Sequence, residues 1–277
     1  MALAIGQMHR LQVLRVSRQA VRLTDGHDEV TLEPRQAPTG IAVGDEVEVF
    51  VYSDGQGQLI ATAERPHAYV GEIAAMTVRS ITAHGAFLDW GITKDLFVPF
   101  AEQEQRLKLN RAAVVAVRVH TPTQRVIGTT RFERAFDPDV SQFVPGQAVA
   151  LLPYRRTELG VQCVVDRRAC GMLFFSDLYV DVRLLDAITG YVKFVRQDGK
   201  LDVTLRPQGA AARDQDAEVI LDALHEAGGY LPLHDKSPPE QIERVLQLSK
   251  KAFKRASGNL YRARRITIEE DGIRLSD

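Results

Sequence analysis

The feature that most constrains the fold is a β-hairpin that occurs three times. Residues 47–52 run through Ser53-Asp54-Gly55-Gln56-Gly57 and return as 59–62. Residues 114–119 run through Thr121-Pro122-Thr123-Gln124 and return as 126–130. Residues 191–196 turn at Asp198-Gly199 and return as 201–205. Apolar runs joined by Asp-Gly and related clusters are strong hairpin signals. The copies recur at roughly 65–75 residues, longer than a solenoid unit and suited to a chain of small all-β domains. Two or three short strands precede each hairpin. Five strands in so small a compass suggest a closed barrel, with the OB-fold as the leading candidate. Boundaries near Pro66, Pro138 and Gly209 divide the 277 residues into barrels at 1–66, 67–137 and 138–208, the first degenerate, and a fourth domain at 209–277.

The fourth domain changes period. An amphipathic helix from about residue 213 to 227 ends at Gly228-Gly229. Ser237-Pro238-Pro239-Glu240 starts a second, with Ser237 as N-cap, proline in the first turn and Glu240 completing a capping box. Ile242, Val245, Leu246 and Leu248 form its apolar stripe. Ser249 caps a third helix, in which Phe253 and Ala256 face the core and Gly258 is the C-cap. Residues 260–268 alternate as a strand, Glu269-Glu270-Asp271-Gly272 turns, and Ile273-Arg274-Leu275 returns. This is the element order of a winged helix-turn-helix. The expected fold class is mainly β with a small α+β C-terminal domain: three tandem OB-fold barrels, then a winged helix.

Formal net charge is -1, yet Arg244, Lys250, Lys251, Lys254, Arg255, Arg262, Arg264 and Arg265 fall in one stretch without Asp or Glu. Cations concentrated in a neutral chain point to a polyanion; a solvated helix face is the competing reading. Lys250/Lys254 and Lys251/Arg255 are like-charged i,i+4 pairs, whose repulsion a polyanion relieves.

Catalytic constellations are absent from the sequence. The seven histidines are scattered, without HExxH spacing, and there is no Gly-rich phosphate loop or nucleophile elbow. His234-Asp235 has the form of a base and its orienter, but it sits where a loop joins two helices. Cys163 and Cys170 lack CxxC spacing and nearby histidines, so no metal, cofactor or disulfide is expected. The apolar start ends at His9-Arg10, too soon for a signal peptide, and no segment approaches a membrane span. The expectation is a cytoplasmic protein with reduced thiols, no membrane partner and no enzymatic activity.

One strand of the middle repeat carries binding chemistry. In residues 81–90, alternation places Ala86, Leu88 and Trp90 on one face and Phe87 with Asp89 on the other. The face with the carboxylate is the wet one, so Phe87 points outward, as base stacking requires. Packing under a loop or a neighbouring domain is the alternative.

His84-Gly85-Ala86-Phe87-Leu88, followed by Asp95-Leu96-Phe97-Val98-Pro99-Phe100, resembles the ribosomal protein S1-type RNA-binding domain. That domain's pattern is aromatic-Gly-Ala-Phe-Val, then Gly-Leu-Val-His-Ile-Ser. Gly171-Met172-Leu173-Phe174-Phe175-Ser176 is similar to its second half. Residues 190–202, Leu233-His234-Asp235-Lys236-Ser237 and residues 249–256 resemble the conserved virulence factor B family. The resemblance implies tandem S1-like domains, a C-terminal winged helix, RNA binding and regulation of gene expression.

Carried over residue by residue, Phe87 matches the second stacking aromatic of the S1 pattern and His84 stands at the first. Val98 stands at the usual His, a place Phe174 takes in the third repeat, where Gln162 stands in turn at the position of Phe87. Lys200 matches a basic position on the last hairpin. The first repeat shows no outward ring around Val21-Arg22-Leu23 and has an acidic excess up to Pro66, so it is expected to add little affinity. The candidate RNA-binding residues are His84, Phe87, Phe97, Phe174, Tyr191, Lys193, Arg196 and Lys200 on the barrels. On the winged helix they are Lys250, Lys251, Lys254, Arg255, Arg262, Arg264 and Arg265. Arg155 and Arg156 are further cations of the third repeat. The expected partner is single-stranded RNA, mRNA included, and the expected function is post-transcriptional regulation. A DNA-binding transcriptional regulator, or a scaffold docking on ribosome or polymerase, is the alternative.

Overall fold

The computed structural model describes residues 3–53, 58–132, 139–178, 180–207 and 209–276, the last stretch without the side chains of 209–215. The first hairpin's turn at Asp54-Gly55-Gln56-Gly57 and the expected boundary at Pro138 lie outside the described residues.

Alternation builds the first barrel. β1 (Gln7–Val16), β2 (Val21–Thr24), β3 (Glu29–Leu32), β4 (Glu46–Ser53) and β5 (Leu59–Thr62) close in the order β1-β2-β3-β5-β4. Leu11, Val13, Val21, Leu23, Val30, Leu32, Val49 and Val51 point into its core. Closure needs β3 to pair with β5 in parallel. The third unit repeats this plan with β11 (Ala148–Arg156), β12 (Gly160–Val165), β13 (Ala169–Phe174), β14 (Ile188–Val195) and β15 (Leu201–Thr204), again closed, with β13 parallel to β15.

The middle unit has β6 (Ile73–Ile81), β7 (Gly85–Leu88), β8 (Leu96–Pro99), β9 (Ala112–His120) and β10 (Arg125–Thr129) in the order β10-β9-β6-β7-β8. It is the same sheet without the closing ladder between β8 and β10. Side chains and the following loop take the ladder's place. A Cβ on Gly128 would lie 2.8 Å from Val98 Cγ2, and Thr130 N donates to Glu102 O at 3.0 Å.

The three first strands share one defect. The register slips between Val13 and Arg15, between Val78 and Ser80, and between Pro153 and Arg155. A bulge bends the long first strand so that it serves both sides of a small barrel. Because the slips match, Arg22, Phe87 and Gln162 occupy one equivalent position, opposite Arg15, Ser80 and Arg155.

The barrels pack on one another. Phe50 of β4 is fully buried against Trp90, ring centroids 5.3 Å apart and edge-on, with Tyr69 and Tyr52 beside it. Glu64 accepts from Thr93 N at 2.6 Å and Thr93 Oγ1 at 2.8 Å across the same junction. Between the second and third units, Ile73, Val114, Ala116, Phe132 and Val164 form a separate apolar cluster. Ile73 N donates to Arg167 O at 2.7 Å, and Arg167 pairs with Glu72 at 3.0 Å.

The C-terminal domain runs α1 (Gly209–Glu226), β16 (Tyr230–Leu231), α2 (Pro239–Leu246), α3 (Lys250–Arg262), β17 (Ile266–Ile268) and β18 (Ile273–Leu275). The two-residue strand β16, too short to register as a pattern, pairs with β18 and completes the winged helix sheet. Four expectations are corrected here. Ser237 is buried, and its hydroxyl accepts from His234 N at 3.0 Å; Pro238 is the N-cap of α2, without a side-chain cap. Val245 leaves the apolar stripe and is exposed. Gly258 lies inside α3, whose C-cap is Ala263. Leu260, Tyr261 and Arg262 are the last turn of that helix, so the strand begins only at Ile266. Phe253, Ala256, Ser257 and Leu260 supply the reason: all four are buried, and their packing carries the helix past the glycine. Ser249 caps α3 as expected, accepting from Ala252 N at 3.2 Å.

Candidate nucleic-acid interface

On the middle sheet, Ala86, Leu88 and Trp90 are buried, while Phe87 and Asp89 are half-buried on the opposite face. Trp90 is fixed by donating its indole N–H to Ala68 O at 2.8 Å. Phe87 stands opposite Phe97 on β8, their ring centroids 4.9 Å apart and tilted by 38°. Gly85 makes room for this pair, since a Cβ there would collide with Val98 O and fall 2.8 Å from the Phe97 ring. Gly160 stands in the same relation to Leu173 O. The glycine of the motif is thus a close strand approach. His84 is exposed in the turn before β7, and its carbonyl accepts from Phe100 N at 3.1 Å. The Arg106 guanidinium lies 3.7 Å over the Phe100 ring. Outward rings on a barrel strand are of the chemical type that can stack on flat bases.

Register corrects one assignment. Gly85 pairs with Pro99 as Gly160 pairs with Phe174. Pro99, and not Val98, therefore occupies the place of Phe174, and Val98 is a core residue. The third barrel keeps less of the aromatic surface. Gln162 faces Met172 where Phe87 faces Phe97, and Phe174 is half-buried opposite Gly160. Tyr191 is half-buried between Ala148 and Thr204. In the first barrel the equivalent position holds Arg22, opposite Thr31, so no ring pair forms.

Strand periodicity alone missed Phe194. Simple alternation places it inside with Val192; a bulge between them turns it outward, opposite Asp202 and 57% exposed. Phe100 with Arg106 was also missed, because their stacking depends on loop packing.

Several cations of the third barrel are already matched by carboxylates. Lys193 lies 2.8 Å from Asp177, Arg196 is 3.0 Å from Asp198, Arg156 is 3.0 Å from Asp181, and Arg155 is 2.5 Å from Glu104 of the middle unit. Lys200 is exposed and forms no ion pair among the described residues. On α3, Lys254 reaches Asp235 at 3.6 Å and Arg255 reaches Asp216 at 2.6 Å. Arg262 donates to Asn259 Oδ1 at 2.5 Å. Lys250 is half-buried. Lys251, Arg264 and Arg265 are exposed and, among the described residues, without an ion pair. They give α3 and the turn after it positive charge that no carboxylate of the described residues pairs with.

Among the described residues no group of three or more His, Cys, Asp or Glu is placed to hold a metal. Neither cysteine is in a disulfide, and burial pushes the thiol of Cys163 up to about 12. The His234 ring sits beside its own loop, Nδ1 accepting from Lys236 N at 3.3 Å. Among the described residues no helix is long and apolar enough to cross a membrane.

Comparison with known proteins bears on the two ends of the chain and on the family resemblance. Residues 5–64 match the S1 domain, and residues 218–275 match the CvfB-like winged helix domain. The chain is 29% identical over 269 residues to the uncharacterized protein YitL of Bacillus subtilis, covering 90% of this chain and 86% of that protein. It is 28% identical over 241 residues to conserved virulence factor B of Staphylococcus epidermidis, covering 84% and 81%. The Staphylococcus aureus protein of the same name is 27% identical over 243 residues, covering 85% and 81%. A crystal structure of a multidomain protein with nucleic acid binding domains from Streptococcus pneumoniae aligns over 98% of both chains at 23% identity, with a TM-score of 0.42. S1 and winged helix domains together indicate nucleic-acid binding. The chain is thus similar to conserved virulence factor B over most of its length, with a match to the S1 domain at its N-terminal end and to the CvfB-like winged helix domain at its C-terminal end.

Proposed function

We propose that this protein is a non-catalytic RNA-binding regulator of gene expression, acting post-transcriptionally in the cytoplasm on single-stranded RNA. The observation that carries the reading is the Phe87–Phe97 pair on the outer face of the middle sheet. Stacked bases are available only in unpaired strands, because a duplex keeps its π-faces inside. One or two stacked bases bind weakly, so phosphate contacts from a second, linked site are needed. Lys251, Arg264 and Arg265 supply that charge.

A DNA-binding transcriptional regulator is the second reading, favoured by the exposed cations of α3. Base-edge readout in the major groove relies on Asn, Gln and bidentate Arg. The one amide on α3, Asn259, is half-buried and engaged by Arg262. Lysines on the exposed face suit phosphates better than base edges. A scaffold docking on ribosome or polymerase is the third reading, and its binding would survive loss of the rings.

The test is competition at physiological salt. Labelled single-stranded RNA bound to the full chain is challenged with unlabelled single-stranded RNA, duplex RNA and duplex DNA. The RNA reading expects only the single strand to compete well. Stronger competition by duplex DNA would move the assignment to the second reading.

A further inference from the structure

The third barrel has lost the ring pair of the middle sheet but has gained something else at the same place. Gln162, Met172 and Asp202 stand side by side across β12, β13 and β15, and Phe194 follows on β14 opposite Asp202. The flanking Val161, Cys163, Leu173, Leu201 and Val203 are buried, so this row faces outward. A cleft of about 80 Å³ opens at the Gln162–Met172 end of the row, lined by these two with Arg196, Lys200 and Leu201 among others, and Asp202 follows Leu201 at its edge. Two side-chain oxygens here, Gln162 Oε1 and Asp202 Oδ1, are shielded from solvent and accept no hydrogen bond; they are the buried side-chain polar atoms left without a partner among the described residues. Arg196 Nη1 lies 3.8 Å from Asp202 Oδ1, a charge contact too long for a hydrogen bond, while the same guanidinium is committed to Asp198 at 3.0 Å. Buried acceptors without donors are costly and rare, and two on one face mark a place where donors arrive from outside.

We infer that this face reads the edge of a nucleobase and favours cytosine, with its exocyclic amine, over uracil. The inference rests on the single-stranded RNA reading above and assigns the third barrel a role distinct from stacking. The cleft has room for the edge of a base while the ring lies over Met172. Cytosine brings the N4 amine, a donor for which a carboxylate is the matching acceptor. Uracil places a carbonyl oxygen at that position, where it repels the carboxylate, and its N3–H is the single donor it offers on that edge in place of the two hydrogens of the amine. A site built around hydrogen bonds rejects an analogue that cannot make them more sharply than an apolar pocket does. Phe194 is placed to stack on a neighbouring base, and Lys200 to meet a phosphate.

The experiment compares labelled twelve-nucleotide oligocytidylate and oligouridylate, two pyrimidines of similar stacking strength, by fluorescence anisotropy with the full chain. The wild type is expected to bind the cytosine strand about fivefold or more tightly. Gln162→Phe, which restores a ring at the position of Phe87, should bring the ratio close to one without loss of overall affinity. Asp202→Asn, which offers a donor in place of an acceptor, should shift preference toward uracil. Equal binding of both strands by the wild type would overturn the inference and leave single-strand binding standing. A cytosine preference that survives both substitutions would also overturn it, by placing the reader elsewhere. Binding of neither strand would remove the RNA reading and this inference together.

Discussion

At the residue scale, what decides a side chain's role is the face of the strand it occupies. Phe87 was legible because its neighbours Ala86, Leu88 and Trp90 claim the core so clearly, and burial follows that alternation. Val98 was misplaced by one residue because a motif carries no register; the pairing of Gly85 with Pro99 fixes it. Phe194 and the orphaned acceptor of Asp202 were not legible at all, since a bulge and a cross-strand neighbour are properties of pairing and not of local sequence. Cys163 gives a prediction at this scale. It is fully buried, and burial pushes its thiol up to about 12. The thiolate is the reactive form. Cys163 is therefore expected to resist iodoacetamide at pH 8 in the folded protein and to react readily in denaturant, as followed by mass spectrometry.

At the element scale, packing outranks local signals. Gly258 and the alternation that follows it read as a helix end and a strand, yet α3 continues to Arg262 because Phe253, Ala256, Ser257 and Leu260 keep one face in the core. Gly258 has open space where a Cβ would be. Glycine inside a helix costs about 1 kcal/mol relative to alanine, so Gly258→Ala is expected to raise stability by about that amount in chemical denaturation. The start of α3 was legible because Ser249 carries a local chemical signature, whereas Ser237 and Gly258, which carry similar ones, are not caps. The charge on α3 and its following turn yields a second expectation. Lys251 and Arg265 have no ion pair to break among the described residues. Removing both as Lys251→Ala with Arg265→Ala should lower affinity for single strands. It should also flatten the dependence of log affinity on log salt by about 0.7 for each phosphate that is no longer neutralised. An unchanged slope would mean that this face does not meet phosphates.

At the scale of the whole molecule, the barrels are joined by buried surface and not merely threaded on a chain, which the repeat period alone did not show. Phe50 against Trp90 at one junction, and Phe132 against Tyr154 at the other, with rings 5.3 Å apart in each case, hold the units to one another. Glu64 gives the first junction a pH dependence. The Thr93 backbone N–H, with the Thr93 and Thr62 hydroxyls behind it, holds the Glu64 carboxyl below its ordinary value of 4.5. A carboxyl with a depressed folded pKa adds stability above its unfolded pKa and loses it as pH falls through the folded value. The junction should therefore weaken as pH drops below about 4.5, and Glu64→Gln should show a smaller loss of thermal stability between pH 7 and pH 4 than the wild type. The central claim is that unpaired bases stack on the outward rings of the middle sheet while cations of the winged helix hold phosphates. Its most direct measurement is the affinity of Phe87→Ala with Phe97→Ala for single-stranded RNA across a salt series, set beside the wild type. Stacking on a ring is worth about 1–3 kcal/mol per base, so affinity should fall at least several-fold at every salt concentration with the salt slope unchanged. An affinity equal to that of the wild type, in a variant that still unfolds cooperatively, would contradict the account.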